Sequence, residues 1–508
     1  MRAPPFLMSP LNPDRRKAWV IFRRYFPLFS TAAFLAACKT GPDYHRPPPL
    51  GPTPMPSAYA TAVDTNHPGW KTATPAAQVP RGTWWELFGD AELSRLENVA
   101  SSNNFELAAA LARFEQARAQ VNISRAGLFP QVDVVPSYNR QRTSFNQPEN
   151  GHAANQARTY NTFYLPLQAG WELDLWGRVR RQVESARAQT TASADDLEAT
   201  RLAVQAELAI DYFTMRALDK EYDVVINTMQ TYRHSLELTV NRRRGGIATD
   251  LDVSQAETQL RTTEAELPIL NLQRTKLQHA MASLCGLPAA EFKWVPVPTR
   301  TNNDPLVPAG LPSELLERRP DVAAAEQRMA AANAQVGVAQ AAFYPRVRLD
   351  GVAGFQSINA GTFFDWPSRL WSVGPTLDLP VFTGGRNRAQ LAFSKAAYEE
   401  TVAAYRQTVI GAFQEVENQL AAQQELRNQL TAEAAALEAA QRTLSIANNR
   451  YKAGLVTYLE VATAQSSALS LERTVAELHG QQLVATVGLI RAIGGGWQGQ
   501  EPIEKASR

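Results

Sequence analysis

Apolar residues recur along this chain with two different periods, and stretches of the two periods alternate. Leu208, Met215, Tyr222, Met229 and Leu236 stand seven residues apart in a stretch, from about Gly177 to Arg243, that contains no proline. Val402, Val409, Val416, Leu430, Leu437, Leu444 and Tyr451 repeat in the same way further on, with Gln423 the one polar member. Seven-residue apolar repeats specify helices packed with coiled-coil geometry. About 67 residues at 1.5 Å each make a helix of about 100 Å, far longer than a globular domain needs. A second helix is expected after each, over Ile247 to about Leu284 and Leu455 to about Ile493, antiparallel to the first and kinked in the earlier case by Pro268. A shorter alanine-rich helix precedes each set, at about Ala91 to Ala126 and Pro312 to Ala342.

Between these helices the period falls to two. Residues 131–140 carry Val132, Val134 and Tyr138 on one alternation; 160–175 carry Phe163, Leu165, Leu167, Trp171, Leu173 and Leu175. Val347, Leu349, Gly351, Ala353 and Phe355 alternate over 346–356, and Trp371, Val373, Leu377 and Leu379 over 370–379. Alternating segments of about ten residues with aromatics near their ends have the pattern of outer-membrane strands. Polar stretches, Gln141 to Arg158 and Ser357 to Ser368, read as their exposed loops.

The chain is also duplicated. The segment from Asn241 to Val253 reads against that from Asn449 to Val461 without a gap, an offset of 208 positions that also superimposes the two heptad series. Each half is therefore helix, hairpin, long helix, turn, helix. Four strands cannot close a barrel, and open sheet edges cannot face lipid. Several chains sharing one barrel solve this: three supply twelve strands.

Composition narrows the chemistry. Formal net charge is +2 over 508 residues, which gives no field for nucleic acid. The six histidines have no metal-ligand spacing, and no acid–base or phosphate-cradling constellation stands out, so no enzyme activity, metal or cofactor is expected. Arg15-Arg16-Lys17 and Arg23-Arg24 precede an apolar stretch, Tyr25 to Ala37, that ends in Leu35-Ala36-Ala37-Cys38. A basic region, a short apolar core and small residues form a secretory signal, with Cys38 resembling the cysteine of a bacterial lipobox. Lys39, rather than an aspartate, next to that cysteine agrees with delivery to the outer membrane. Cys285, the other cysteine, is then left without a disulfide partner. The expected divisions are a lipoprotein signal over 1–37, a Pro-rich tether over 38–80, a first repeat over 81–290, a linker over 291–311, a second repeat over 312–497 and a tail over 498–508.

Taken in order, Gly41-Pro42-Asp43-Tyr44, Trp84-Trp85-Glu86-Leu87-Phe88-Gly89-Asp90, Leu316-Glu317-Arg318-Arg319-Pro320-Asp321-Val322, Ala341-Ala342-Phe343-Tyr344-Pro345 and Gly494-Gly495-Gly496-Trp497 carry a resemblance over nearly all of the mature chain. The chain resembles the outer-membrane efflux channels of the TolC/OprM family, in their lipoprotein (NodT-like) branch. The resemblance implies a mostly α protein with transmembrane β-structure: a homotrimer whose twelve-stranded barrel, set in outer-membrane lipid, continues as an α-helical periplasmic tunnel. It also implies a periplasmic adaptor and an inner-membrane transporter of the resistance-nodulation-division type as partners, and small toxic solutes as cargo. A type I protein-secretion channel of the same fold, or a structural coiled-coil envelope lipoprotein, is the alternative.

The conduit's closable end is expected at the glycine turns, Gly245-Gly246 and Ala453-Gly454. Asp250 and Asp252 follow one turn and Glu460 the other; in a trimer each would form a ring of three like charges. By resemblance, Asp252, Tyr451 and Glu460 fall where the family holds its periplasmic gate shut, and Leu459 at an apolar constriction. Where the family often has Leu-Asp-Ala-Gln this chain has Ala462-Thr463-Ala464-Gln465, so an expected acidic ring becomes Thr463. Asp252 and Glu460 equally suit charge compensation at helix N-termini beside the N-cap candidates Thr249 and Thr457. Arg318-Arg319-Pro320-Asp321 reads as a helix start rather than a cargo contact.

Overall fold

A computed structural model describes residues 39–52, 54, 56, 82–146, 157–296 and 318–495. The expected signal segment, most of the tether and linker, and the C-terminal tail lie outside the described residues. The chain folds into two compact units: one of 1–46, 116–190 and 327–402, the other of 47–115, 191–326 and 403–508.

Helices α1 (Ala91–Asn103) and α2 (Phe105–Ala126), strands β1 (Gln131–Val134), β2 (Ser137–Arg142) and β3 (Thr159–Leu173), and helices α3 (Arg178–Arg244) and α4 (Asp250–Leu284) make up the first half. The second contains α5 (Pro320–Ala341), β4 (Arg346–Ser357), β5 (Arg369–Asp378), α6 (Arg386–Lys452) and α7 (Tyr458–Ala492). The two long helices, α3 and α6, are each 67 residues, and α4 and α7 are each 35. The duplication thus holds to the residue. Leu208, Met215 and Met229, and Val409, Val416 and Tyr451, are buried, and every other member of the two heptad series is at least half covered. Each fully buried Leu or Met of this kind stabilises the packing by roughly 2 kcal/mol. The 35-residue helix α4 continues without interruption through Pro268.

One expected helix is two. Ala91 to Ala126 breaks at Asn104, whose backbone is extended (φ −67°, ψ 125°). The Asn104 carboxamide oxygen accepts from Glu106 N–H at 2.8 Å and Leu107 N–H at 3.0 Å, capping α2, while its Nδ2 donates to the Leu284 carbonyl at 2.9 Å. One side chain therefore satisfies orphan groups at the start of one helix and the end of another.

The unit holding the strands is a sheet in the order β1–β3–β4–β5, with β2 also paired to β3, all antiparallel. The expected first strand is broken at Val135-Pro136, yet β1 and β2 keep the same register against β3: Val134 faces Leu167 and Ser137 faces Tyr164. That register sets Val135 opposite Pro166. Pro136 and Pro166 both lack an N–H, so the ladder loses its rungs there without slipping. Four strand rows remain, in five pieces.

Register sorts the faces. Val134 pairs with Leu167, Leu167 with Ala353 and Ala353 with Trp371; Tyr138 pairs with Phe163, Leu165 with Phe355, Trp171 with Leu349, and Val347 with Leu377. The alternate face pairs Asp133 with Gln168, Glu172 with Arg348, Arg348 with Thr376 and Arg346 with Asp378. Val132, Val134, Tyr138, Trp371, Val373 and Leu377 are all more than half exposed, so the apolar face is uncovered within this chain. Gly354 is required in β4, since a Cβ there would lie 2.0 Å from the Leu165 carbonyl oxygen. Aromatics gather at both ends of the rows. Phe163, Phe355, Phe363 and Phe364 meet at one end; at the other Trp176 stacks on Tyr344 with centroids 4.9 Å apart.

A strap of residues 39–43 lies against the same unit. Thr40 N–H donates to the Trp176 carbonyl at 3.1 Å, and Asn333 Nδ2 to the Pro42 carbonyl at 2.9 Å. The guanidinium of Arg181, fully buried, donates to Thr40 O, Gly41 O and Asp43 Oδ1 at 2.9, 3.0 and 2.9 Å. The Gly41-Pro42-Asp43 motif is thus the counterpart of a buried cation. Arg319 plays a similar structural part in the other unit: it forms a bidentate pair with Asp321, reaches Glu415 at 2.7 Å and donates to the Ala492 carbonyl at 2.8 Å, closing the end of α7. The helix-start reading of that motif therefore holds, with tertiary ties added to it.

Candidate functional site: the helical tips

Both long helices end in the same turn. Gly246 N–H bonds to Arg243 O at 2.9 Å and Ile247 N–H to Arg242 O at 2.8 Å; Gly454 and Leu455 repeat this with Tyr451 and Arg450 at 3.0 Å each. Gly246 and Gly454 have φ of 75° and 78°, which a side chain would strain.

The two tips then differ. At the first, Thr249 and Asp252 form a reciprocal capping box. Thr249 N–H and Oγ1–H each donate to Asp252 Oδ2 at 2.8 Å, and Asp252 N–H donates to Thr249 Oγ1 at 3.2 Å. The other oxygen of Asp252 accepts Tyr458 N–H of the second tip at 3.3 Å. Thr457, at the N-cap of α7, makes no side-chain cap bond. The expected cap of that helix is therefore replaced by a carboxylate from the other repeat. Partial burial opposes ionisation of Asp252, but the bonds from Thr249 and Tyr458 and the nearby Arg242 charge outweigh it and hold the carboxyl below its ordinary value.

Tyr451 is buried, and its hydroxyl donates to Thr239 Oγ1 at 3.3 Å across the two repeats. The Arg242 guanidinium lies 4.8 Å from the Tyr451 ring centroid and donates to the Lys452 carbonyl at 2.9 Å. The Tyr451 and Tyr458 rings meet edge to face at 5.6 Å. Farther along, Tyr458 Oη–H donates to Gln465 Oε1 at 3.2 Å, Gln465 Nε2 donates to Ser235 Oγ at 3.3 Å, and Gln259 Nε2 donates to Ser466 Oγ at 3.0 Å. Ala256, Ala447, Val461 and Ala464 close the apolar part of the seam.

The remaining expected residues are at the surface. Asp250 pairs with Arg243 at 2.5 Å and Glu460 with Arg450 at 3.4 Å, both in exposed settings where such pairs contribute little. Each acid beyond the turns is thus met by an arginine of its own chain, which dilutes the expected anionic rings. Leu459, 55% exposed, lines an open groove of about 630 Å³ with Ile446, Arg450, Glu460 and Thr463. The Thr463 hydroxyl donates back to Leu459 O at 2.9 Å, so it is engaged within its own helix.

Sequence reasoning did not single out Tyr458, Thr239 or Ser235, and treated Gln465 only as part of a pattern. The readable signal was the duplication itself: position 458 holds tyrosine where the first copy has Asp250, and an aromatic replacing an acid at a polar tip marks a buried contact. Among the described residues no His/Cys/Asp/Glu group is arranged to hold a metal ion. Cys38 lies outside the described residues. Cys285 is a buried free thiol, pushed up by burial to about 11.

A family model described as "Outer membrane efflux protein" matches residues 96–287 and 311–495. The outer membrane protein OprJ of Pseudomonas aeruginosa is 34% identical over 481 residues, covering 93% of this chain and 96% of that relative. The toluene efflux pump outer membrane protein TtgC of Pseudomonas putida is 34% identical, covering 92% of this chain and 95% of its own length. The solved structure of the outer-membrane channel OprN superimposes with a TM-score of 0.81 at 30% identity, over 91% of this chain and all of the other.

Proposed function

We propose a mechanism from one premise: the chain belongs to the outer membrane efflux protein family and is an outer-membrane efflux channel, not an enzyme. Channels of this family act in tripartite pumps, with an adaptor and an inner-membrane transporter. Our reading is that this chain is the exit duct of such a pump, built as a homotrimer. Three four-row sheets close a twelve-stranded barrel in the outer membrane, and the helices continue it as a periplasmic tunnel. Its repeats span 81–290 and 312–497, and acylation of Cys38 anchors it. Several acyl chains hold a protein firmly where a single one does not.

The observation that carries this reading is the sheet: one face apolar and uncovered, the other polar, and both edge rows, β1/β2 and β5, unpaired. Such edges cannot face lipid, so each is completed by a neighbouring copy. Cysteines at Val132 and Val373, on opposite edge rows, test this. Oxidation in membranes is expected to yield cross-linked trimers when some register-matched pair of these positions is scanned; cross-linking absent from every register overturns the shared barrel.

Asp252, Tyr451, Leu459, Glu460 and Asp250 form the periplasmic gate in this reading. The Asp252 bridge and the Tyr451–Thr239 bond latch one tip to the other, and Leu459 narrows the bore. Opening separates the tips, at the cost of those bonds and of the Tyr451–Tyr458 contact. The double variant Asp252→Ala with Glu460→Ala is expected to raise single-channel conductance in planar bilayers. Conductance equal to that of the parent rejects the latch.

A relative named for toluene efflux supports a small-solute cargo over protein secretion, and a proton-driven resistance-nodulation-division transporter as the inner-membrane partner. A duct without chemistry leaves the choice of solute to that transporter.

A further inference from the structure

The loop between β4 and β5 contains an aromatic cluster that neither the tunnel nor the gate uses. Phe364 and Trp366 are 70% and 72% exposed, and Ile358 66%. A loop standing in water has no use for three such side chains, and contiguous exposed apolar surface marks an interaction site. The loop is also built rather than slack. Ser357 Oγ meets Thr362 Oγ1 at 2.9 Å, Gly361 N–H donates to Asn359 Oδ1 at 3.0 Å, and Ser368 Oγ–H donates to Thr362 O at 2.7 Å. Two short 3₁₀ turns, Ala360–Thr362 and Trp366–Ser368, fix its path.

Its direction is set by what the aromatics touch. Phe363 packs on Phe163 with centroids 6.0 Å apart, and Phe364 on Phe355 at 5.8 Å. Phe163 pairs with Tyr138, and Phe355 with Leu165, on the apolar face of the sheet. Arg369, opposite Phe355 in register, lays its guanidinium 3.8 Å from the Trp366 ring centroid. The loop therefore folds onto the apolar face, away from the face that bears Gln168, Arg348, Asp350 and Thr376.

We infer that the β4–β5 loop is a membrane collar: Ile358, Phe364 and Trp366 seat in the lipid of the outer leaflet, at the boundary between headgroups and acyl chains, and the loop neither covers the channel mouth nor stands free in water. The occupant is lipid because the patch continues the uncovered apolar face through Phe163 and Phe355. Trp and Phe side chains with a neighbouring arginine are what a membrane interface accommodates. The collar rests on the reading that this sheet spans the outer membrane, and its test separates the two.

Full-length protein carrying a single environment-sensitive fluorophore at Phe364→Cys, or at Trp366→Cys should the first variant assemble poorly, is reconstituted into phosphatidylcholine vesicles. Leu167→Cys reports the middle of the apolar face and Thr376→Cys the polar face. The collar predicts that lipid brominated near the carbonyl end of the acyl chain lowers emission at 364 by about twofold. It also predicts that aqueous iodide does so at 376 and not at 364. Quenching at 364 by iodide alone overturns the collar in favour of a water-exposed loop. Lipid-independent emission at 364, together with reduced channel conductance after labelling, overturns it in favour of a mouth plug. In both cases lipid quenching at 167 leaves the membrane sheet standing; loss of that quenching overturns both readings.

Discussion

Asp252 does three jobs with two oxygens: it closes the capping box of α4, compensates that helix's dipole, and supplies the cap that Thr457 does not give to α7. Thr249 three residues before an acid made the first two legible in sequence; the third depends on a contact across 206 positions, which no local pattern records. Removing the side chain by Asp252→Ala should cost about 1–2 kcal/mol at the tips, measurable as faster hydrogen exchange in the first turns of α4 and α7 together. Because bonds and charge hold the carboxyl below its ordinary value, its contribution is complete above pH of about 4 and drains as pH falls through the lower folded value. Openings are therefore expected to become more frequent under strong acid in the parent protein, with a weaker response in Asp252→Ala. A second residue titrates the other way. Glu97 is fully buried, neither carboxylate oxygen has a hydrogen-bond partner among the described residues, and burial raises it to about 9. The unfolded chain gives up this proton first, so stability falls as pH rises from about 4 to about 9, by roughly 3 kcal/mol at pH 7. Glu97→Gln should melt higher than the parent at pH 8 and close to it at pH 5; a gap that does not change with pH refutes the assignment.

Elements were the most legible level. Seven-residue and two-residue periods pointed to the four long helices and the strand rows, because each period is dictated by the face an element must bury or offer to lipid. Two breaks were missed for physical reasons. Asn104 interrupts a helix because its amide closes α4 at Leu284, 180 residues away, a partner that local propensity does not reveal. The gap at Val135-Pro136 comes from a proline that should have demoted its strand, made worse by Pro166 across the ladder. Gly354 is the element-scale test. With 2.0 Å between an added Cβ and the Leu165 carbonyl oxygen, Gly354→Ala has to push β3 and β4 apart. The expected outcome is loss of folded barrel, read as loss of heat-modifiable migration on gels, whereas Ala353→Gly in the same strand should migrate as the parent does. At the tips, Gly246→Ala and Gly454→Ala each place a side chain at positive φ, at about 1 kcal/mol apiece, and should raise the open probability without abolishing assembly.

For the whole molecule, the N-terminal strap makes a separate point about how the protein is held. Arg181 fixes residues 40–43 through two carbonyls and the Asp43 carboxylate while fully buried. Breaking such a site by Arg181→Met removes every bond from that guanidinium to the strap at once, and proteolysis near residue 40 should speed up several-fold. Gly41-Pro42-Asp43 is visible as a motif along the chain but its receiver is not, since Arg181 is one of several arginines at the start of α3 and only packing distinguishes it.

The asymmetry of the two tips has a consequence for the kinetics of a trimer. Asp252 reaches across to Tyr458, while Glu460, its counterpart in the duplicated sequence, turns back to Arg450 beside it. Each chain thus fastens its own two hairpins together and leaves its second acid free of such a duty. Six tips then move as three leaves, and the iris they form has three blades rather than six. Current through one such pore should rise in at most three steps, and a variant that severs the Asp252 tie should multiply the number of intermediate levels.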